Sequence, residues 1–429
     1  MNVFAAFDGH SGGQIALKVI GLKPTKYYAS EVDKYAMQGT MAVFPKTIQM
    51  GDITKWREWS IVWSTIDLFI GGSPCQGFSM AGKMAGTTAV LNGEKIVVDS
   101  REKYLELKLA KAEFLSQSYL FWEYILLLDH IKLTNPKIKF FLENVKMKKQ
   151  FLDLITGAIG VEPIFINSSL VSAQNRQRYY WCNWFTFQPK DKGIVLKDIL
   201  ESEVESSFFH TDSAINYMQQ GNEKWQQAGA RRADRYTQSE DKEKSFCLTA
   251  NMHKGVPYNY LEVKCAAQGG RYDDNGEIQQ QFEVRKDFSP RGSKKLVART
   301  DGKMNCLTAT YSMKEHIVGI QQTPRGFNKG GEKALDGKTP TLSANSWEHN
   351  NKLSIKSECL KNIHYRKLTP RECGRLQTIP EDILDTLLSA GISNSQLYKM
   401  FGNGWTIDVI VHIFSQMNNE LKETQGSLF

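Results

Sequence analysis

The chain has 429 residues, 41% hydrophobic and 23% charged, with a formal net charge of +8. That is the composition of a globular protein with room for two domains. No apolar run reaches the length of a membrane span, and no basic segment with a cleavage site opens the chain, so a membrane or secreted protein is disfavoured and the cytoplasm is the expected compartment.

Seven cysteines, at 75, 182, 247, 265, 306, 359 and 373, include no Cys-x-x-Cys pair and no histidine at zinc spacing. They read as reduced thiols, and no metal site is expected. Residues 244–362 hold 19 Lys and Arg against 12 Asp and Glu. Such an excess reads equally as a phosphate-facing surface or as a solvated face.

In chain order, residues 3–7 predict an apolar strand that runs into Asp8-Gly9-His10-Ser11-Gly12-Gly13, and a helical pattern starts at Ile15. Strand, glycine turn and helix let a nucleotide-like ligand approach backbone N–H groups closely. A second strand, 26–30, ends at Glu31, the spacing at which a carboxylate accepts from both hydroxyls of a ribose. Asp52, in Gly51-Asp52-Ile53, either accepts from an adenine amino group or caps the segment after it. With no Arg or Lys near the glycine turn, the site suits an adenosine ligand better than a dinucleotide. A sulfonium tolerates Asp8 where a pyrophosphate would be repelled, which favours S-adenosylmethionine.

The apolar run 66–70 stops at Gly71-Gly72-Ser73-Pro74-Cys75-Gln76-Gly77-Phe78-Ser79. Cys75 would sit just past the carboxyl end of a buried strand, where open α/β sheets bind their ligands. It is either a positioned nucleophile or a small buried hydrophobe. The long segment Gly77 to Gln117 reads as a lid, with a helix within 104–112. Residues 118–128 predict an amphipathic packing helix.

A buried-type strand, 138–142, ends at Glu143-Asn144-Val145. Burying a carboxylate unpaired costs several kcal/mol in order-of-magnitude terms, so Glu143 is a general-acid candidate, with the start of the next helix as the alternative. Gln174, Arg176 and Arg178 share one face of a predicted strand, so that two guanidiniums would converge on a carboxylate, phosphate or base carbonyl.

The middle of the chain repeats a short pattern, at 244–251, 303–310 and 338–345, around Leu-Thr-Ala or Leu-Ser-Ala. These read as three strand-turn units with apolar centres in a core and polar tips, among them Asn251, His253, Lys254, Lys314 and Asn345, suited to base edges. The arginine cluster Arg231-Arg232-x-x-Arg235 is a candidate phosphate binder. Pro370 is placed at the first position of a helix with Thr369 as its cap, bracing two lobes, and 397–414 returns to the first lobe.

The motifs FDGxSGG at 7–13, Glu31, Gly51-Asp52-Ile53, GSPCQGFS at 72–79, SxLFWE at 118–123, ENV at 143–145, QxRxR at 174–178, RKLTPRECGRLQ at 366–377 and GNGW at 402–405 follow one another in family order. On these the sequence resembles the C5-cytosine DNA methyltransferases, particularly those carried by bacteriophages.

The resemblance implies a Rossmann-like α/β catalytic domain over 1–188, a smaller, mostly β target-recognition domain over 189–389, and a return to the catalytic domain over 390–429. It implies Cys75 as nucleophile on C6 of a flipped cytosine, Glu143 on N3 and the exocyclic amine, and Arg178, with Arg176 behind it, on the base carbonyl. A cofactor pocket for S-adenosylmethionine, released as S-adenosylhomocysteine, would draw on Phe7, Asp8, Gly9, Ser11, Gly12, Gly13, Glu31, Val32, Asp52, Ile53, Pro74, Asn403 and Trp405. Double-stranded DNA would meet Ser73, Gln76, Ser79, Asn144, Gln174, Arg231 and Arg232 besides the repeat tips, and the enzyme is expected to be a monomer.

The chain departs from the family pattern twice. The first turn has one more residue between Gly9 and the Gly12-Gly13 pair than the bacterial members mostly carry, and Trp405 stands where a small residue is usual. Among rivals, a transfer-RNA cytosine methyltransferase shares the motifs, and a catalytically idle DNA-binding protein would not need Cys75, Glu143, Arg176 and Arg178.

Overall fold

The computed structural model describes residues 1–78, 86–211, 213–214, 237–239, 243–255, 258–265, 295–297, 317–322, 331–334, 351–355 and 362–426. Five predicted positions, Ser79, Arg231, Arg232, Lys314 and Asn345, lie outside them, as do the second and third copies of the repeat. The chain divides into two compact units, the first made of 1–199, 241–254 and 370–429, the second of 200–240 and 255–369.

The first unit is built on a seven-stranded sheet. Its strands are β1 (Asn2–Ala6), β2 (Lys26–Ser30), β3 (Ile48–Gln49), β4 (Leu68–Gly72), β8 (Lys139–Val145), β9 (Ile164–Asn167) and β10 (Gln177–Cys182), in the order β3-β2-β1-β4-β8-β10-β9. All neighbours pair in parallel except β10, which runs antiparallel to β8 and β9. Continuous apolar runs explain the central strands: Val3 to Ala6 and Leu68 to Ile70 are buried on both faces, as a helix-covered parallel sheet requires. The fold is Rossmann-like α/β, and the order reverses between β1 and β4, where such sheets open a crevice.

Helix α1 (Gly12–Val19) follows the glycine turn, and α2 (Lys34–Val43) is capped by the Asp33 carboxylate, which accepts from the Tyr35 and Ala36 amides. The segment expected to be a long lid is folded where it is described. Strands β5 (Ala89–Leu91), β6 (Glu94–Ile96) and β7 (Glu113–Phe114) form a small antiparallel sheet, and α3 (Arg101–Leu109) starts three residues earlier than the sequence suggests because Ser100 caps it.

This subdomain is fastened to α4 (Leu120–Thr134) by the fully buried Glu123. One oxygen accepts from the Tyr104 hydroxyl at 2.6 Å and from Lys108; the other accepts from the Trp56 indole at 3.0 Å and faces Arg57 at 3.7 Å. Helix α5 (Lys149–Ile159) follows β8.

The second unit consists mainly of strands among its described residues. They are β11 (Glu203–Glu205), β12 (Thr237–Ser239), β13 (Tyr260–Cys265), β14 (Lys295–Val297), β15 (Ile317–Gln322), β16 (Gly331–Ala334), β17 (Asn351–Ile355) and β18 (Asn362–Arg366). They form a two-stranded sheet, β11-β14, and two three-stranded sheets, β12-β13-β18 and β16-β15-β17.

The division between units does not fall at 188/189 and 389/390. Residues 189–199 stay with the first unit because the Lys192 amide bonds to the Leu170 carbonyl and its side chain pairs with Asp408 at 2.6 Å. Helices α6 (Pro370–Leu376) and α7 (Glu381–Ser389) belong there too, since α7 packs on α2 and α6 packs on α8 (Asn394–Asn403). Pro370 does open α6, while the Thr369 hydroxyl donates to Glu201.

The first repeat copy also lies in the first unit. Ser245 bridges Gln174, Lys244 donates to the carbonyls of Ser169, Ser172 and Ile194, and Leu248 is buried. Its tip is a 3-10 turn, Ala250–Lys254, packed on α8 rather than the tip of a strand-turn unit in a separate domain. The chain closes the unit with α9 (Ile407–Gly426), which packs on α1. Among the described residues no helix is long and apolar enough to cross a membrane, and no group of three or more acidic, Cys or His side chains could hold a metal.

Replacing Glu123 with Ala leaves the Tyr104 hydroxyl and the Trp56 indole unpaired, while Lys108 and Arg57 are exposed enough to reach water. The expected loss, read from urea denaturation, is about 2 to 4 kcal/mol, one to two unsatisfied buried groups.

Candidate active site

A cavity of about 660 Å3 opens along the carboxyl ends of β1, β2, β4 and β8, with walls from α8 and the residues after it. At one end the chain turns sharply after β1: Phe7, Gly9 and Ser11 all take positive φ, 57°, 58° and 63°. Left-handed backbone at two side-chain-bearing residues is costly and persists where the surroundings over-determine it. Here they do. Glu31 accepts from the Gly9 amide at 2.8 Å with one oxygen and from the Val32 and Asp33 amides with the other.

Asp8 accepts from the Ser11 hydroxyl and from the Tyr27 hydroxyl at 2.7 Å. Burial pushes its carboxyl up to about 7 against the pull of those two bonds. His10 is buried edge-on to Phe401, and burial lowers its ring to about 4, so it is neutral. Asp52 accepts from the Thr54 amide at 2.9 Å, so the capping role is realised, and it also lines the cavity.

At the other end stands Cys75, on a loop held from both flanks. The Asn144 side-chain amide donates to the Ser73 carbonyl and hydroxyl, and the Gly77 amide donates to the Ser118 hydroxyl at 2.8 Å. Burial raises the Cys75 thiol above its ordinary value, with the Arg178 guanidinium pulling it back and Glu143 adding to the rise.

Glu143 faces the same space. Its Oε1 lies 2.9 Å from Nε of Arg178, and its Oε2 accepts from the Trp405 indole at 3.0 Å. The parallel register sets Gly72 beside Glu143, and the antiparallel register sets Tyr180 on its other side.

The cavity wall thus gathers Phe7, Asp8, Gly9, Gly12, Glu31, Val32, Asp52, Ile53, Ser73, Pro74, Cys75, Gln76, Glu143, Arg176, Arg178, Asn403 and Trp405. Ser11 and Gly13 lie behind the turn. Gly13 packs so closely on β4 that an added Cβ would stand 2.2 Å from Ile70.

Three expectations are corrected. Arg176 and Arg178 do not converge on a ligand together: the Arg176 guanidinium is buried and donates to the carbonyls of Leu248, Gly402 and Gly404, so it braces the wall. Asn144 and Gln174 are buried, and their amides are used internally, by Ser73 and by Leu248, Leu376 and Gln377; neither can reach DNA. The third is the place of Asn251, His253 and Lys254, which lie in a 3-10 turn of the first unit and not at the tip of a strand-turn unit in a separate domain.

Sequence reasoning missed Gln396, Lys399 and Met400, brought to the cavity by α8, and Cys247, whose sulfur lies 3.3 Å from Arg176. Nothing in their local pattern distinguishes them from surface or core positions.

An open sheet in this order, with one antiparallel strand and a glycine turn facing carboxylates, is the fold of S-adenosylmethionine-dependent methyltransferases. A family model described as C-5 cytosine-specific DNA methylase matches residues 1–99 and 168–419, and the chain belongs to that family. It is 25% identical over 452 residues to the orphan methyltransferase M.SPBetaI of Bacillus phage SPbeta and 24% identical to M.SPRI of Bacillus phage SPR, with 97% of each chain covered. Among solved structures it is similar to the Entamoeba histolytica methyltransferase EhMeth, with a TM-score of 0.56, 13% identity and 98% of both chains covered. It is also similar to Spodoptera frugiperda DNMT2, with a TM-score of 0.52, 16% identity and 97% and 98% covered.

Two pH effects follow. The Asp8 pKa rises from 3.8 to about 7 on folding, so its contribution to stability is full below pH 3.8 and lost as pH rises through about 7. Denaturation midpoints of Asp8→Asn should therefore fall less than those of the wild type across that interval. Iodoacetamide labelling of Cys75, followed by mass spectrometry, should need a pH above the ordinary thiol range in the free enzyme.

Proposed function

We propose that the chain methylates C5 of cytosine in double-stranded DNA through a covalent bond between Cys75 and C6. The observation that supports this best is the single cavity that puts Cys75, Glu143 and Arg178 at one end and the Glu31-bound glycine turn at the other. The donor set fits S-adenosylmethionine. Asp8, Glu31, Asp33 and Asp52 line the turn end, a set that accepts from ribose and adenine and favours a cation, while the cavity's cationic side chains Arg176, Arg178 and Lys399 come from other elements. When bound, that cofactor supplies the methyl group.

The chain's own residues do the rest. A base inside a duplex is out of reach of a thiol on a cavity wall, so the cytosine must turn out of the stack. The proton of the Cys75 thiol passes through solvent to N3 as the sulfur bonds to C6 and the C5–C6 electron pair moves onto C5. Glu143 accepts from the N3 proton and the exocyclic amine, and Arg178 holds Glu143 and the base carbonyl. After C5 has taken the methyl group, its proton and the N3 proton pass to solvent, the C5–H electron pair re-forms the C5–C6 double bond, and the sulfur departs as thiolate. Burial raises the thiol in the free enzyme, and the Arg178 guanidinium offsets part of that rise by stabilising the thiolate.

The strand-rich unit, 200–240 with 255–369, is assigned to target recognition, and the modification to protection of phage or host DNA from restriction.

Cys75→Ser should lower methyl transfer to duplex DNA by at least about 1,000-fold, a loss of the order seen when a nucleophile is removed, while gel-shift affinity stays within a few-fold. A duplex carrying 5-fluorocytosine should trap the wild type as a denaturation-resistant adduct. Substantial turnover by Cys75→Ser, or no adduct, contradicts the reading. Glu31→Ala should raise the S-adenosylmethionine Kd about 10-fold or more, measured by calorimetry, because it removes the ribose acceptor and frees the Gly9 amide.

A further inference from the structure

Trp405 is half-buried and lines the cavity, and its ring is held by contacts on its edge, its face and its nitrogen. It meets Phe141 edge-on, with centroids 5.3 Å apart at 77°. Its Cε3 and Cζ3 stand 3.5 Å from where side chains on Gly12 and Gly13 would begin. Its Nε1 donates to Oε2 of Glu143 at 3.0 Å.

An indole N–H can only donate, so this contact requires an acceptor, and the carboxylate opposite it supplies one. Gly72 makes the approach possible: a Cβ there would lie 2.8 Å from Nε1 and 3.1 Å from Oε2, beside the hydrogen bond and in contact with both partners. One rigid ring therefore has the glycine turn of the cofactor end along its edge and the carboxylate of the base end at its nitrogen.

Resting on the reading above, we propose that Trp405 is a positioning residue that fixes the plane of the Glu143 carboxylate for the target cytosine, rather than chiefly a wall of the cofactor pocket. A carboxylate held by Arg178 alone is free to rotate about its last bond. With Arg178 on Oε1 and Trp405 on Oε2, both oxygens are located before the base arrives. Orientation set in advance lowers the barrier of the step that uses it. That step is sulfur addition to C6, during which charge gathers at N3, the atom Glu143 must face.

The test is Trp405→Phe, which keeps an aromatic ring at the position, smaller by three atoms, and removes the donor. The rate of adduct formation on 5-fluorocytosine duplex, and kcat with ordinary duplex, should both fall about 10- to 100-fold, the worth of a hydrogen bond to a charged group. KM for S-adenosylmethionine should stay within about two-fold.

Gly72→Ala crowds both partners of the same bond and should give the same split, which keeps the test available should Trp405→Phe fail to fold. An unchanged adduct rate in a folded variant, or a raised KM with unchanged kcat, overturns the inference alone. Absence of any adduct in the wild type overturns the covalent reading and this inference with it.

Discussion

The pairing of β4 with β8 is the constraint from which the site follows. Their parallel register sets Leu68 beside Lys139 and ends with Gly72 beside Glu143, so the loop carrying Cys75 leaves the sheet where the carboxylate emerges. Side chains alternate along a strand, and a slip of one residue would turn Glu143 to the other face and out of the cavity. The register is secured by burial. Phe69, Ile70, Phe141 and Leu142 are all inaccessible, Phe69 stacks on Tyr124 at 4.4 Å, and the Tyr124 hydroxyl reaches the Phe141 carbonyl. The hydrophobic core thereby fixes the separation between a thiol and a carboxylate.

Charge is then distributed around that pair with little solvent to help. Two guanidiniums, Arg176 and Arg178, lie beside one carboxylate. Burial lowers the Arg176 pKa, and a second anion nearby relieves the imbalance. Cys247 is placed to be that anion. Burial pushes its thiol up, but the two guanidiniums outweigh burial and hold it below its ordinary value, the reverse of Cys75. The thiol argued to do chemistry is thus the one whose pKa is raised, and the one that helps hold the arginines is the one whose pKa is lowered. Proximity to cations alone would not have told them apart; the balance of burial against charge does.

Much of the first unit was legible in the sequence because its signals are local. Apolar runs ending at glycine predicted β1 and β4, Glu31 stood at its spacing from the glycine turn, and Glu143 closed a run too apolar to leave it unpaired. Arg176 and Gln174 were misread for a common reason. Period-two alternation says which face a side chain takes, but not whether that face meets ligand or another segment of chain. Here the partners are backbone carbonyls at 248, 376, 402 and 404, all 72 or more residues away in the chain. The repeat at 244–251 misled in the same way: its Leu-Thr-Ala pattern recurs in the other unit, yet its first copy is held by Gln174 and α8. Similar pattern did not imply similar place.

Glu123 and Glu143 show two uses of one residue type. Both are buried carboxylates meeting an indole and a guanidinium, Trp56 and Arg57 in one case, Trp405 and Arg178 in the other. Glu123 also takes the Tyr104 hydroxyl and Lys108, so two helices and the segment after Asp52 converge on it and none of its oxygens faces the cavity. Glu143 takes one hydrogen bond, from Trp405 on Oε2, and an ion pair with Arg178 on Oε1, and lines open space. An ionised carboxylate accepts about four hydrogen bonds, so Glu123 is near saturation while Glu143 retains capacity for a ligand. The surplus acceptor capacity, more than burial or charge, is what separates a carboxylate that can recognise a base from one that holds helices together.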